Sequence, residues 1–397
     1  MRKKDIVEKW ECSSGLVVDV RRELNGPIDT ARTSLKAGES DDVQDGPDGK
    51  VFNFVRHRPI TLEDARQWIR SSGDDPDLFH ISLRTIAYGG DRSSNRMSAW
   101  PKTGKALVES LKLEQLYAAA ERHTPARPTP SGDRGTVTAL CDWQVGKTGR
   151  RGGTPELLQR LAESRERAAL EYERRAPARI LLADGGDGIE NFESGGNPMF
   201  TNDLSLPDQL DCYATELFKW VELAARFAPV DVMVVSSNHS SWRRGKQVLG
   251  KPSDDFGIFV HKQVEKLAQR AGIDATWHYP DEWDESVCVD LLGTPIGLVH
   301  GSQFGPGGAI GWWEKQAFGS QAITRADILV TAHYHTYGAG VAGINPFSGR
   351  ERMWLGAPTM DNGSDHYRHT AGRDSLPGTL IFDVAPSGFD ISSLNII

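Results

Sequence analysis

Two periodicities divide this chain. From about residue 133 onward, short apolar runs at 136–140, 179–183, 230–236, 286–292, 296–299 and 328–331 have the length and branched content of buried strands. Between them, apolar residues at 155–175, 206–227, 255–271 and about 308–318 recur at the spacing of amphipathic helices. Leu291-Leu292-Gly293-Thr294-Pro295 reads as a turn between antiparallel strands, and 378–384 and 389–397 add two strands around Pro386-Ser387-Gly388. Strands alternating with helices, plus antiparallel additions, predict an α/β fold of two packed mixed β-sheets flanked by helices.

The first third has a different texture. Residues 38–50 (GESDDVQDGPDGK) are acidic and Gly-rich and predict a solvated loop. A short strand follows at 51–55, and Thr61-Leu62-Glu63-Asp64 is a capping box opening a helix to about Ser71. Residues 105–122 predict a further helix, with Leu107, Leu111, Leu113 and Leu116 at roughly helical spacing. The Pro-rich run 123–132 cannot continue it. The expected organisation is a small N-terminal accessory region over 1–123, a linker at 124–132 and a larger domain over 133–397. No motif in the first third carries nameable chemistry, which leaves its role open, with a protein partner as one use.

Composition narrows the class. The 397 residues fit about two domains. With 38% hydrophobic residues, 41 Gly and 21 Pro, a collagen-like or wholly disordered chain is excluded. Mean hydropathy is −0.45, and no apolar run reaches the roughly 18–20 residues of a spanning helix, so no membrane association is expected. The basic start lacks an apolar stretch behind it, and Cys12, Cys141, Cys212 and Cys288 form no C-x-x-C pair. Both features lead to an expected cytoplasmic location. Forty-six basic against 54 acidic residues give a net charge of −8. An anionic substrate must therefore be held by local charge or by metal.

The polar residues fall where strands end. The first run ends in Cys141-Asp142-Trp143-Gln144, and the second runs into Asp184-Gly185-Gly186-Asp187-Gly188-Ile189-Glu190-Asn191. The third ends in Ser237-Asn238-His239, a later one in His300-Gly301, and the last in Ala332-His333-Tyr334-His335. Each alone reads as a turn, a cap or a hydrogen-bonded side chain. Five strand ends bearing Asp, Asp, Asn-His, His and His-x-His point together to a binding site at the carboxyl edge of a sheet.

That order resembles the calcineurin-like metallophosphoesterase superfamily, whose pattern runs D-x-H, G-D-x-x-D/E, G-N-H-D/E, a lone His and G-H-x-H. The resemblance covers about two thirds of the chain, from Thr136 onward. It implies Asp142, Gln144, Asp187, Asn238, His300, His333 and His335 as metal ligands, with Asp187 bridging. It implies His239 as the residue that contacts the scissile phosphate and protonates the leaving group. Asp184 is the alternative bridging residue, because Asp184-Gly185-Gly186-Asp187 also spells D-x-x-D; only Asp187 keeps a glycine before it and an acid three residues on. The implied cofactors are two divalent ions, manganese first, with iron, zinc or magnesium as alternatives. Such a pair shares a water, lowers its pKa and neutralises the phosphoryl oxygens.

The sequence departs from the pattern in four places. Gln144 replaces a histidine, Ala332 and Ser237 replace glycines, and Ser240 stands where an acid usually orients the catalytic histidine. Two basic clusters flank the motifs: Lys147, Arg150 and Arg151, then Arg243, Arg244 and Lys246. They read either as a phosphate-backbone track or as solvated loop charge, and Trp143 and Trp242 either stack on bases or pack. His366 and His369, in a polar stretch beginning at Asp361, read as surface loop residues. The expected activity is hydrolysis of nucleic-acid phosphodiesters, similar to the SbcD-type nuclease branch. A small-molecule or cyclic-nucleotide phosphoesterase and a non-catalytic metal-binding scaffold are the alternatives.

Overall fold

The computed structural model describes residues 40–46, 49–72, 74–88, 92–101, 112–125, 128, 132–192, 202–244, 247–363, 368 and 375–397. The chain divides into two compact units, Met1–Pro101 and Lys102–Ile397.

The first unit contains β1 (Ser40–Gly46), β2 (Gly49–Arg56), α1 (Leu62–Ser71), β3 (Phe79–Tyr88) and β4 (Arg92–Pro101). Its antiparallel sheet runs β1-β2-β4-β3. The expected capping box forms: Asp64 N donates to Thr61 Oγ1 at 3.1 Å, and Thr61 N donates to Asp64 Oδ2 at 2.9 Å. It sets α1 so that Ala65 and Ile69 meet Phe52, Phe54, Phe79, Met97 and Ala99 in one core. Residues 38–50, expected as a loop, instead carry β1 and the start of β2. An acidic edge strand needs no apolar alternation, and its Asp41 pairs with Arg56 at 2.5 Å.

The second unit opens with α2 (Leu113–Arg122) and β5 (Gly135–Cys141), then α3 (Thr154–Arg175), β6 (Arg179–Gly186), α4 (Leu206–Ala225) and β7 (Val230–Val234). A two-residue ribbon follows, β8 (Arg243–Arg244) with β9 (Gln247–Val248), then α5 (Phe256–Arg270), β10 (Ala275–His278), β11 (Ser286–Leu291), β12 (Thr294–Val299) and α6 (Ala309–Phe318). The chain continues with β13 (Ile328–Thr331), β14 (Gly338–Ile344), β15 (Glu351–Gly356), β16 (Leu380–Ala385) and β17 (Gly388–Ile396).

These strands make a six-stranded sheet, β10-β7-β6-β5-β16-β17, and a five-stranded sheet, β11-β12-β13-β15-β14. Both are mixed: β5, β6, β7 and β10 run parallel, as do β12, β13 and β15, with antiparallel strands outside. The sheets face each other across one core that includes Val137, Leu181, Met233, Leu298, Val330, Leu355 and Phe382. Trp313 of α6 packs on the outer side of the five-stranded sheet with Val299 and Leu329. The fold is thus the expected α/β arrangement of two packed mixed sheets flanked by helices. Four predicted helices lie within two residues of their expected ends. Strand β14 escaped the apolar pattern because it is Gly-rich and largely exposed; a Cβ at Gly338 would lie 2.8 Å from the Trp354 ring.

Helix α2 belongs to the second unit, although the sequence placed it in the accessory region before a linker at 124–132. It packs against α4 and α5, burying Leu116 and Ala120, and His123 Nδ1 lies 3.0 Å from Glu222 Oε1. Proline-rich sequence marks a helix end, and here that end lies inside a packed unit. A fragment starting at 102 should therefore be more stable than one starting at 131. Burial of Leu116 and Ala120 is worth about 3 kcal/mol, which lowers the Tm of the shorter fragment by roughly 5–10 °C in calorimetry.

Candidate metal centre

Strand alternation sorts the two candidate aspartates. In β5 and β6, Val137, Ala139, Cys141, Leu181 and Ala183 face the core between the sheets. The opposite parity faces the helices, where Thr138 Oγ1 meets Tyr172 OH at 2.7 Å. Asp184 has that helix-facing parity. Its Oδ2 accepts from Tyr213 OH at 2.6 Å and lies 3.1 Å from His261 Nε2, and its Oδ1 accepts from Gly186 N at 2.9 Å. Asp187 stands past the strand end, beside the predicted histidines.

A sharp turn puts it there. Gly186 has φ +91°, and a Cβ on it would fall 2.5 Å from Ser237 Cβ. Ser237 accepts the Asp187 amide on its Oγ at 2.8 Å. Asp142, Gln144, Asp187, His333 and His335 all have positive φ, between 47° and 69°. Left-handed backbone at non-glycine residues costs on the order of 1 kcal/mol each, and here it gathers where five side chains must converge.

The side chains of one half of the centre are close together. Asp187 Oδ2 lies 3.2 Å from His300 Nε2, which is 2.7 Å from Asn238 Oδ1 and 3.2 Å from His333 Nδ1. His300 Nδ1 meets the Gly185 carbonyl at 2.7 Å, a contact that turns Nε2 inward as a ligand atom. Ligand atoms of Asp187, His300 and His333 all lie within 4.8 Å of one another, a group that could hold a metal ion. Asp187 Oδ1 accepts from His239 N at 2.8 Å, while its buried Oδ2 makes no hydrogen bond. A buried carboxylate oxygen that makes no hydrogen bond and is ringed by imidazole nitrogens is costly unless a cation meets it, so this donor set fits a divalent ion.

The electrostatics record the same demand. Burial disfavours the charged form of His300, yet the Asp187 carboxylate beside it pushes its pKa up to about 9. Burial and the neighbouring His300 charge bring His333 down to about 4. Burial also works against ionised Asp187, but the surrounding imidazoles hold it well below the usual carboxylate range.

The other half is built differently. His333 N donates to Asp142 Oδ2 at 3.0 Å, and His335 Nε2 lies 3.4 Å from Asp142 Oδ1. His335 Nδ1 is 3.4 Å from Asp361 Oδ2. Against the cost of burial, Asp361 and Asp142 push His335 up to about 10. Lys147 Nζ donates to Gln144 Oε1 and to Asp361 Oδ2, each at 2.5 Å. Burial disfavours both charges of that pair, yet Lys147 is shifted up and Asp361 well down, because each holds the other ionised.

Two of these residues escaped the sequence reading. Asp361, which in sequence opens a polar stretch, is 1% exposed and follows β15, a strand the apolar pattern does not mark. Glu190 takes the orienting position that Ser240 left empty: its Oε2 lies 3.1 Å from His239 Nδ1. Burial opposes a charge on His239, but Asp187 and Glu190 raise its pKa. Ser240 Oγ is buried without a hydrogen bond. Gln144 Nε2 lies 3.1 Å from His239 Nε2, joining the two halves.

Among the described residues, the basic clusters differ in exposure. Lys147 is buried in its ion pair, and Arg151 Nη2 donates to Ser375 O at 2.6 Å. Arg150 and Arg244 are exposed and Arg243 is half-buried. Lys246, His366 and His369 lie outside the described residues. Trp143 is 2% exposed and packs edge-on against Tyr213, so it is a core residue; Trp242 is 62% exposed. No helix among the described residues is long and apolar enough to cross a membrane.

No family model and no curated protein matches this chain. Among solved structures it is similar to a single mutant of Vps29 from Entamoeba histolytica, with 14% identity, 66% of this chain and 97% of that chain covered, and a TM-score of 0.29. So loose an overlap carries no argument, and the reading of the site stands on the geometry above.

Asp187→Asn should lose bound divalent metal in elemental analysis. Asp184→Asn should retain it while melting earlier, because Tyr213 and His261 lose a buried acceptor worth about 1–3 kcal/mol. Metal loss in Asp184→Asn alone would reverse the assignment.

Proposed function

We propose that this protein is a metal-dependent phosphoesterase acting on phosphodiesters, with nucleic acid as the substrate class. The observation that carries the reading is Asp187 Oδ2, buried without a hydrogen bond and 3.2 Å from His300 Nε2. Asp187, Asn238, His300 and His333 would hold the ion. A divalent ion there supplies the positive charge that a phosphodiester, protected from attack by its own negative charge, requires.

The chain's residues supply the remaining parts. His239 is tied by its amide to Asp187 Oδ1 at 2.8 Å and oriented by Glu190 at 3.1 Å, so its imidazole borders the ion's position. It is the residue suited to give the leaving oxygen its proton. Arg243 and Arg244 follow four and five residues later, next to exposed Trp242. A half-buried and an exposed cation beside an exposed aromatic ring suit a strand of nucleotides better than a compact monoester.

Manganese-loaded protein should turn over a chromogenic diester and single- or double-stranded DNA in preference to a monoester. His239→Ala should keep its metal and lose about 10²–10⁴ in rate on a poor leaving group, but less on a good one. Equal losses on both would make the histidine a binding residue. Replacing Arg243 and Arg244 with Gln should flatten the salt dependence of DNA cleavage by about 0.7–0.9 in log–log slope per lost phosphate contact, leaving the small diester nearly unchanged. A metal-loaded wild type that ignores DNA yet hydrolyses small diesters would favour the small-molecule reading. A metal-loaded protein inert on every substrate would favour a scaffold.

A further inference from the structure

The two halves of the centre satisfy their charges by different means. Around Asp187 a buried oxygen makes no hydrogen bond and faces only imidazoles, His300 Nε2 at 3.2 Å and His239 Nε2 at 3.9 Å. Around Asp142 a cation is already present, and it belongs to the chain: Lys147 is 4% exposed, with Nζ 2.5 Å from Gln144 Oε1 and 2.5 Å from Asp361 Oδ2. We infer that the Lys147 ammonium stands in for a metal ion at the Asp142–Gln144–His335 end, so that the chain binds one divalent ion, at Asp187, Asn238, His300 and His333. This inference rests on the metal-centre reading proposed above and changes its stoichiometry from the expected two ions.

Three features support it. Gln144 can offer a metal only its amide oxygen, and that atom accepts a hydrogen bond from a fixed ammonium, whose charge repels a divalent ion at the same place. Among the described residues, the compact group of ligand atoms contains Asp187, His300 and His333 but neither Asp142 nor His335. Asp142 and His335 face each other at 3.4 Å, and His335 turns its other nitrogen to Asp361, so this end is neutralised by residues of the chain.

The lysine is also held in place by its own loop. Lys147 N donates to Gln144 O at 3.1 Å, closing a turn through Gly146 at φ +95°. Asn362 Nδ2 donates to Lys147 O at 2.7 Å, and Thr359 Oγ1 donates to Asp142 O at 2.7 Å. The residues after β15 therefore clamp both the lysine and the loop that carries the Asp142 and Gln144 side chains. An ammonium fixed this way keeps a single positive charge beside the ion whatever the metal supply.

The test counts ions rather than turnover. The full chain is stripped with a chelator, loaded with manganese, separated from free metal and assayed by elemental analysis and electron paramagnetic resonance. The wild type should hold one ion per chain with the spectrum of an isolated Mn²⁺. Lys147→Ala should rise to two ions with an exchange-coupled spectrum, and Lys147→Arg should stay at one. Gln144→His, which restores an imidazole but leaves the ammonium, should also stay at one and serves if Lys147→Ala does not fold. Two coupled ions in the wild type, or in Gln144→His, would overturn the inference and leave the metal centre standing. A folded Lys147→Ala that stops at one ion would also overturn it. No ion in the wild type would overturn the metal centre itself and the inference with it.

Discussion

A buried carboxylate with one oxygen bonded and the other bare sets the terms for everything around Asp187. Its Oδ1 takes the His239 amide, its own amide is held by Ser237, and three imidazoles stand within reach of its charge. Keeping such a group ionised away from water requires compensating charge close by. The structure supplies it from strand ends of both sheets, β6 and β7 in one and β12 and β13 in the other. The sheets must therefore pack in one relative position for the centre to exist. The apolar core between them, from Val137 to Phe382, fixes that position.

Around Asp142 the same problem is solved internally. Lys147, Asp361 and His335 form a chain of alternating charge that reaches Asp142 through His335 Nε2. Such a network rigidifies its loops when every member is satisfied. It also ties the loop after β15 to the loop after β5, two segments more than 200 residues apart in sequence. Gln144 at this position is thus not an isolated loss of a ligand. The amide accepts from a buried lysine on one side and faces His239 on the other.

Beneath the centre, Asp184, Tyr213, His261 and Trp277 form a separate buried polar network against the helices. Asp184 and Asp187 differ by three residues and serve opposite faces of the same sheet. The glycine pair between them makes this feasible: a Cβ at Gly185 would lie 2.7 Å from both Ala332 Cβ and Cys141 Sγ. Small residues at the crossing let the two sheets approach closely enough for His300 to meet Asp187.

The sequence by itself determined the α/β alternation, most strand and helix positions in the larger unit, and the polar residues that end its parallel strands. These follow from local periodicity, which a packed sheet imposes on every strand it contains. Alternation within β6 did not separate Asp184 from Asp187, because Ile180 and Leu182 are as apolar and buried as Leu181 and Ala183; only the packed sheets show that Asp184 lies on the helix side. Only tertiary structure decided what Lys147, Asp361 and Glu190 do. Glu190 sits at a motif spacing that does not state its contact with His239, and a lysine in a basic run or an aspartate in a polar stretch reads as solvated from the chain alone. Their meaning comes from contacts between residues far apart in sequence: Lys147 with Asp361 and Glu190 with His239. A buried charge is defined by the partner that neutralises it, and linear sequence does not state which partner the fold will bring.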